Sequence, residues 1–93
     1  MAWLRKLLPW FFVILIWDAS PSETVTGYKI YYTDHVDTYI VDVGDVLTTE
    51  IDVRFGIDWY FYATAYDAAG NESEPSNTVD TKPKKPTLWH EVR

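Results

Sequence analysis

The chain of 93 residues contains no cysteine, and this absence removes several ways of stabilising a small fold. Disulfide bonds and thiolate metal sites are excluded, and so is a cysteine nucleophile. A domain of this length buries only about 60 to 65% of the surface that its unfolded chain exposes. The sequence therefore predicts one domain at most, stabilised by packing alone. Five Trp, seven Tyr and four Phe supply the large apolar area that such packing needs.

Lysine and arginine are scarce in the middle of the chain. Residues 11–80 contain thirteen Asp and Glu but only Lys29 and Arg54, a net charge of −11, whereas residues 1–10 and 81–93 together carry +5. An acidic body repels phosphate groups, which argues against nucleic acid as the main partner. The basic arms are better suited to meet the acidic body of a neighbouring copy.

Long hydrophobic runs are also missing. The apolar run over residues 7–17 is too short to span a bilayer, which needs about 20 apolar residues. Basic residues before this run are typical of a secretory signal over residues 1–16, but the run contains Pro9 and no A-x-A-like cleavage site follows. The favoured alternative is a buried strand over residues 11–17, closed by the turn-forming sequence DASPS.

Alternation of apolar and polar residues with a period of two predicts several short strands. It occurs in GYKIYY, in TYIVDV, in LTTEIDV and, over the greatest length, in residues 58–67 before the turn AAGNESEPS. Residues 76–81 are predicted as a last strand at a sheet edge, because prolines flank them. No ten-residue window carries a helical stripe, so the pattern predicts a β-sandwich. The predicted core residues are Leu15, Trp17, Tyr28, Ile30, Tyr32, Ile51, Val53, Trp59, Phe61, Ala63 and Ala65.

Three segments in this order resemble strands of a fibronectin type III domain: LIWDAS, GYKIYY and WYFYATAYDAAGNESEPSN. The resemblance implies an all-β sandwich of two antiparallel sheets. Trp17 would then pack against the small residues Ala63 and Ala65 of the opposite sheet, which leave room for its indole. The family is a scaffold for adhesion, spacing and recognition, so the resemblance by itself predicts no particular activity.

The sequence departs from the family pattern at two places. Trp59 stands where the family usually has a tyrosine whose hydroxyl makes a corner hydrogen bond, and an indole offers only its N–H. Few residues precede the second strand, so the first is expected to be short, irregular or missing. A missing strand leaves a sheet edge open to pairing with another chain. The alternative is an ordinary first strand over residues 2–8 with a disordered tail.

The predicted division of the chain follows from these points. Residues 1–10 form an N-terminal arm or irregular first strand, residues 11–81 form the fibronectin type III-like domain, and residues 82–93 form a Lys/Pro linker and C-terminal tail. The linker TKPKKP is expected to be extended and semi-rigid, which suits it to delivering the tail away from its own body.

Catalysis finds little support in the sequence. His35 and His90 are the two histidines, and neither belongs to a nucleophile motif or to H-E-x-x-H. The sequence therefore predicts no enzyme, no catalytic residue and no cofactor.

A metal site is not predicted either. Four aspartates surround one predicted hairpin and would suit Ca²⁺, but their spacing does not match the EF-hand loop, so solvated acidic turns are favoured. These residues are Asp34, Asp37, Asp42 and Asp45. In the later loop DAAGNE, Asp67 and Asn71 are predicted to cap backbone amides of the turn.

Outward-facing tyrosines are the candidate contact surface. Tyr31, Tyr60, Tyr62 and Tyr66 are predicted to lie on neighbouring strands of one sheet. Aromatic patches are enriched at protein interfaces, so a protein contact is favoured over a sugar-stacking surface.

The sequence predicts a non-enzymatic structural or binding module. By resemblance to small accessory proteins of phage virions, it is expected to be a subunit of a repetitive assembly, such as a capsid decoration or tail accessory. Its expected location is a virion or the extracellular space. The alternative is a secreted bacterial carbohydrate- or surface-binding module with residues 1–16 as its export signal.

The expected partner is protein, as a homo-oligomer or larger assembly, with carbohydrate as the alternative ligand and with neither nucleic acid nor a membrane span. The residues predicted to bind the partner are Trp3, Leu4, Trp10, Leu88, Trp89, Tyr60, Tyr62 and Tyr66.

Overall fold

The computed structural model describes residues 4–7, 12–54 and 56–82, which form seven β-strands and no helix. The strands are β1 (Leu4–Leu7), β2 (Phe12–Trp17), β3 (Val25–Thr33), β4 (Thr38–Gly44), β5 (Thr48–Asp52), β6 (Tyr60–Asp67) and β7 (Val79–Asp80). No described segment has the helical length and hydrophobicity that a bilayer crossing requires.

The strands form two antiparallel sheets. One has three strands in the order β1-β2-β5, and the other has four in the order β4-β3-β6-β7. The long strands β3 and β6 lie side by side in the centre of the second sheet, where Tyr31 pairs with Tyr62. The predicted sandwich of two antiparallel sheets is confirmed.

The first strand exists and is short. β1 pairs with β2 over four residues, with Leu4 opposite Trp17. Leu4 is only 2% exposed and belongs to the hydrophobic core. The prediction that Leu4 contacts a partner is therefore wrong, because the pairing of β1 with β2 turns this side chain between the sheets.

The core lies between the two sheets, and the alternation along the strands fills it. Trp17 and Tyr28 meet there with ring centroids 5.6 Å apart, and Leu4 and Val13 join residues predicted from the sequence. The predicted core residues that lie buried are Leu15, Trp17, Tyr28, Ile30, Ile51, Trp59, Phe61, Ala63 and Ala65. The other two, Tyr32 and Val53, are partly buried and pack against this cluster.

β2 is less buried than its composition suggested. Its residues alternate, so that Val13 and Leu15 are buried while Phe12, Ile14 and Ile16 are only half-buried on the outer face. An apolar strand in an antiparallel sheet still presents every second side chain outward.

The last strand is shorter than predicted, because β7 covers only Val79–Asp80 instead of residues 76–81. Before it, the chain follows β6 irregularly: the Oγ atoms of Ser73 and Ser76 accept hydrogen bonds from backbone N–H groups of β6, each at 2.9 Å. Pro75 between them has no N–H to donate to a ladder. Serine hydroxyls thus satisfy backbone groups of β6 where a regular strand would have done so.

Candidate functional site

The outer face of the four-stranded sheet carries three tyrosines at one end, which we call the tyrosine face: Tyr31, Tyr60 and Tyr62. Tyr31 and Tyr62 stand directly opposite each other on β3 and β6, and their rings stack with centroids 4.8 Å apart and planes 2° apart. Tyr60 lies two residues before Tyr62 on the same face, and the imidazole of His35 is 4.4 Å from its ring. The pairing of β3 with β6 thus brings Tyr31 next to two rings of β6 that are distant from it in the sequence.

The tyrosine face surrounds an open hollow of about 320 Å³. Aromatic rings and threonine hydroxyls meet in its wall, so it offers both apolar contact and hydrogen bonding. The residues that line it are Tyr31, Tyr32, Thr33, Thr38, Tyr60, Phe61, Tyr62 and Thr78.

Next to the tyrosine face, Glu72 connects β3 to β6. Its carboxylate accepts hydrogen bonds from Lys29 Nζ at 2.9 Å, from the Tyr31 hydroxyl at 2.6 Å and from the Thr64 hydroxyl at 3.2 Å. Glu72 is carried by the loop after β6, and the bridge between Tyr66 and Glu72 folds that loop back over the sheet. The hydrogen bond from Tyr31 fixes the orientation of its ring, and the bonds from Lys29 and Thr64 hold the carboxylate that accepts it.

These contacts shift the ionisation of the groups involved. The hydrogen bond to Glu72 raises the pKa of Tyr31 to about 12, because removing the phenolic proton would place two negative charges together. The hydrogen bonds from Tyr31 and then Lys29 lower the pKa of Glu72 below its ordinary value. The same carboxylate raises the pKa of Lys29. In each pair the pKa of the donor is raised and the pKa of the Glu72 carboxyl group is lowered. This is the pattern expected of charge-assisted hydrogen bonds.

Tyr66 is held at the other end of the same face. Its ring lies directly over Gly27, and its hydroxyl donates to Asp42 Oδ1 at 2.7 Å. This hydrogen bond raises the pKa of Tyr66 and lowers that of Asp42. Lys29 Nζ stands 5.5 Å from the centroid of the Tyr66 ring. Tyr66, predicted as a partner-binding residue, therefore packs on its own sheet, at a distance from the hollow.

The acidic loops act as turns. Asp34 Oδ1 accepts hydrogen bonds from the backbone N–H groups of Val36 and Asp37, both at 2.8 Å. Asp67 Oδ1 accepts likewise from Ala69 and Asn71. The backbone bonds lower the pKa of Asp34 because they stabilise its charged form. The pKa of Asp67 is lowered first by a hydrogen bond from the Asn71 side chain to Oδ2 and then by the backbone bonds. Within the part of the chain that the structure describes, no group of three or more acidic or histidine side chains is arranged to hold a metal ion.

Of the residues predicted to bind a partner, Tyr60 and Tyr62 line the hollow. Four others lie outside the described residues: Trp3, Trp10, Leu88 and Trp89. The structure also shows a surface that was not predicted from the sequence. Among the described residues, the exposed large hydrophobic side chains all fall within residues 36–47. The run of apolar residues in TYIVDV could have indicated this surface. It was interpreted as a half-buried strand, without regard to its position at the sheet edge.

The architecture defines an all-β, fibronectin type III-like sandwich, and solved structures share it. The chain is similar to the FN1–FN3 domains of chicken CNTN1, with a TM-score of 0.75 and 21% identity over 88% of this chain and 31% of that chain. It is similar to the fn3 domain of human contactin 1, with a TM-score of 0.70 and 14% identity over 94% of this chain and 79% of that one. A third similar structure is a β-1,2-glucanase from Parabacteroides distasonis, with a TM-score of 0.73 and 24% identity over 92% of this chain and 13% of the enzyme.

These similarities establish the fold. The chain spans about a third of the CNTN1 structure and about an eighth of the glucanase. No protein-family model matches the sequence, and no curated protein is significantly similar to it. Function therefore has to be argued from the surface of this chain.

Proposed function

We propose that this chain is a non-enzymatic binding module whose contact surface is the tyrosine face, and that its partner is protein. The observation that carries the proposal is the stacked pair of Tyr31 and Tyr62 beside the open hollow. No described element of the chain covers this hollow. Rings whose orientation is fixed in advance lose little conformational entropy on binding, which makes them effective contact residues.

The composition of this surface supports a protein partner. Tyrosine is enriched at binding hot spots because its ring buries apolar area while its hydroxyl retains a hydrogen bond. Tyr60 and Tyr62 are half-buried, so a partner can bury their remaining apolar surface while the domain stays folded. The hydrogen bond to Glu72 keeps Tyr31 in place beside Tyr62.

We further propose that the chain is a subunit of a repetitive assembly such as a phage virion, in which copies contact one another. The distribution of charge supports such an assembly, because residues 11–80 carry a net charge of −11 and the segments on either side together carry +5. Opposite charges on the arms and the body of equivalent copies favour association at low ionic strength. Trp3, Trp10, Leu88 and Trp89 are the proposed anchors of the arms.

Light scattering on the full chain tests this function. We expect oligomers at low salt that weaken as salt is raised, and weaker association for the Tyr60→Ser, Tyr62→Ser double variant. The matched Tyr60→Phe, Tyr62→Phe variant retains both rings and should still associate. Monomers at every concentration and salt level would remove self-assembly as the function. Association unchanged by the serine variant would remove the tyrosine face as its surface.

A carbohydrate is the second candidate ligand, and the dimensions and lining of the hollow favour it. Tyrosine rings can stack on a sugar ring, and Thr38 and Thr78 line the same wall. A similar fold also occurs within a β-1,2-glucanase. Titration with a β-1,2-linked glucose oligosaccharide, followed by intrinsic fluorescence, tests this candidate. Saturable binding that the Tyr60→Ser variant loses would support it, and an unchanged spectrum would reject it for this glycan.

The alternative of an export signal over residues 1–16 is weaker. β1 and almost all of β2 fall within that segment, and Leu4, Val13 and Leu15 are core residues. Cleavage after residue 16 would remove one edge and the centre of the three-stranded sheet. The intact mass of the mature protein tests this point, because a retained N-terminus excludes the cleavage.

A further inference from the structure

The open edge of the four-stranded sheet carries an apolar surface that no described strand covers. β4 is the outermost strand on this side and pairs only with β3 among the described residues. Three of the exposed large hydrophobic residues lie on β4 or in the turn before it: Val36 is 84% exposed, Tyr39 44% and Ile40 58%. The remaining two, Val46 and Leu47, follow in the next loop.

β4 lacks most of the devices that normally protect a sheet edge. Proteins block such edges with lysine, proline, bulges or very short strands. β4 has seven residues, TYIVDVG, and contains neither lysine nor proline. Its pairing with β3 is irregular only at the C-terminal end, between Asp42 and Gly44. The competing edge strands are shorter: β5 has five residues including Glu50, β1 has four and β7 has two. β4 is therefore the edge best suited to accept another strand.

The charge of this edge indicates the sign of its partner. Residues 34–47 contain four aspartates and no lysine or arginine. Residues 82–93 contain four lysines and arginines against Glu91 alone. Pairing β4 with β4 of a second copy would bring aspartates together, whereas the basic residues on either side of residues 87–92 complement them. These are Lys82, Lys84, Lys85 and Arg93.

We propose that residues 87–92 of a second copy add to the free edge of β4 as a fifth strand. The segment TLWHEV contains no proline after Pro86, so it can donate a continuous ladder of hydrogen bonds. A strand presents alternate side chains to the two sides of a sheet, so Leu88 and Trp89 would cover opposite faces of the edge. On β4, the exposed large hydrophobic residues on those two faces are Tyr39 and Ile40. Main-chain bonds supply affinity and the two apolar side chains supply specificity.

Geometry favours a second copy over the same chain. The described chain leaves the sheet at β7, and β4 is at the opposite edge. An added strand beyond β4 lies four strand spacings from β7, about 19 Å. The five steps from Lys82 to Thr87 span about 16 Å in an extended Pro-rich chain. The segment is therefore too short to reach its own β4 edge directly.

This inference rests on the proposed self-association, for which it names one contact, and its test separates the two. Because the chain lacks cysteine, each single-cysteine variant carries one thiol, and Ile40→Cys is mixed with either Leu88→Cys or Trp89→Cys in the presence of oxidised glutathione. Mass spectrometry distinguishes the mixed disulfide from the two homodimers that each variant also forms. The matched control replaces Ile40→Cys by Thr48→Cys, an exposed position on the edge strand β5. We expect disulfide-linked heterodimers to form about tenfold faster with Ile40→Cys than with Thr48→Cys, because pairing raises the effective concentration of the two thiols.

Two outcomes overturn the inference. Equal crosslinking at the two edges excludes docking on β4, even if light scattering still shows that the full chain self-associates; the proposed function then stands without this contact. Unchanged association of the full-length Ile40→Lys variant also excludes it, with Thr48→Lys as the control of equal charge. A full chain that stays monomeric removes both proposals together. Selective loss of association in Ile40→Lys supports the inference when crosslinking is also faster at β4. Both results are needed because Ile40 stands opposite Tyr31, so its substitution alone also changes the surroundings of the tyrosine face.

Discussion

The side chain of Asn77 forms two hydrogen bonds with the backbone of Leu4. Its Oδ1 accepts from the Leu4 N–H at 2.8 Å, and its Nδ2 donates to the Leu4 carbonyl at 3.2 Å. The two residues are 73 positions apart and belong to different edges of the sandwich. A side-chain amide thus occupies the place of a neighbouring strand and ties β1 to the segment that leads into β7.

This relationship predicts the effect of Asn77→Ala. Both backbone groups of Leu4 are part-buried in this contact, so losing their partner should lower the free energy of unfolding by about 1 to 3 kcal/mol. Urea unfolding measures the loss, and hydrogen exchange should show a faster-exchanging Leu4 amide. Asn71→Ala is the control, because it removes an asparagine side chain whose hydrogen bond to Asp67 is exposed to solvent. Equal effects of the two variants would contradict a special role for Asn77.

The burial of Leu4 predicts a core effect. Leu4→Ala should cost about 2 to 5 kcal/mol of stability, because it opens a cavity beside Trp17. An N-terminal arm that served only to contact a partner would tolerate this change in the monomer. Thermal unfolding of the variant distinguishes these cases, and a change within about 0.5 kcal/mol would show that β1 adds little to the fold.

The contact between Gly27 and Tyr66 predicts coupled substitutions. A Cβ at residue 27 would collide with the Tyr66 ring, so Gly27→Ala should cost about 1 to 3 kcal/mol. The ring is the group in the way, so Gly27→Ala should cost much less when Tyr66→Ala is already present. A double-mutant cycle measured by urea unfolding gives this coupling. Additive effects would place the strain elsewhere.

The Tyr31 and Glu72 pair predicts a pH dependence with a defined sign. Tyr31 has a pKa of about 12, above the ordinary 10.0, so its contribution to stability is complete below pH 10 and is lost as pH rises through about 12. Glu72 has a lowered pKa, so its contribution is present above the ordinary 4.5 and is lost as pH falls through the lowered value. In Glu72→Gln, the Tyr31 pKa should move back towards 10.

Ultraviolet titration of tyrosinate measures that change. The difference between the parent chain and Tyr31→Phe isolates the Tyr31 signal, and the same pair in the Glu72→Gln background gives its shifted value. An identical Tyr31 titration in both backgrounds would mean that the hydrogen bond to Glu72 does not govern this group.

The hydrogen bond of the Trp59 indole predicts a difference in stability between two aromatic substitutions at this position. Its indole Nε1 donates to the Arg54 carbonyl at 3.3 Å, five residues upstream, where a fibronectin type III domain is expected to use a tyrosine hydroxyl. Trp59→Phe loses the donor, whereas Trp59→Tyr restores a hydroxyl. We expect Trp59→Tyr to be more stable than Trp59→Phe by about 1 kcal/mol in urea unfolding. Equal stability of the two would show that the corner hydrogen bond contributes nothing.

Part of the candidate site could be predicted from the sequence. The alternation in YFYATAY assigned Tyr60 and Tyr62 to the side away from Ala63, and the structure places both in the wall of the hollow. The partnership of Tyr31 with Glu72 was not predictable. It joins residues 41 positions apart through a loop whose return over the sheet no local pattern records.

The sequence by itself determined the class of fold and the side of each strand that faces inward. Period-two alternation is a local property, and the choice of Trp17, Phe61 and Ala63 as core residues follows from it. Only the tertiary structure decided where the chain's edges lie: β1 turns Leu4 inward, Pro75 and its flanking serines shorten β7, and β4 keeps Ile40 exposed. Edges depend on which distant strands pair and in what register, and pairing energy is shared between segments that the sequence separates by tens of residues.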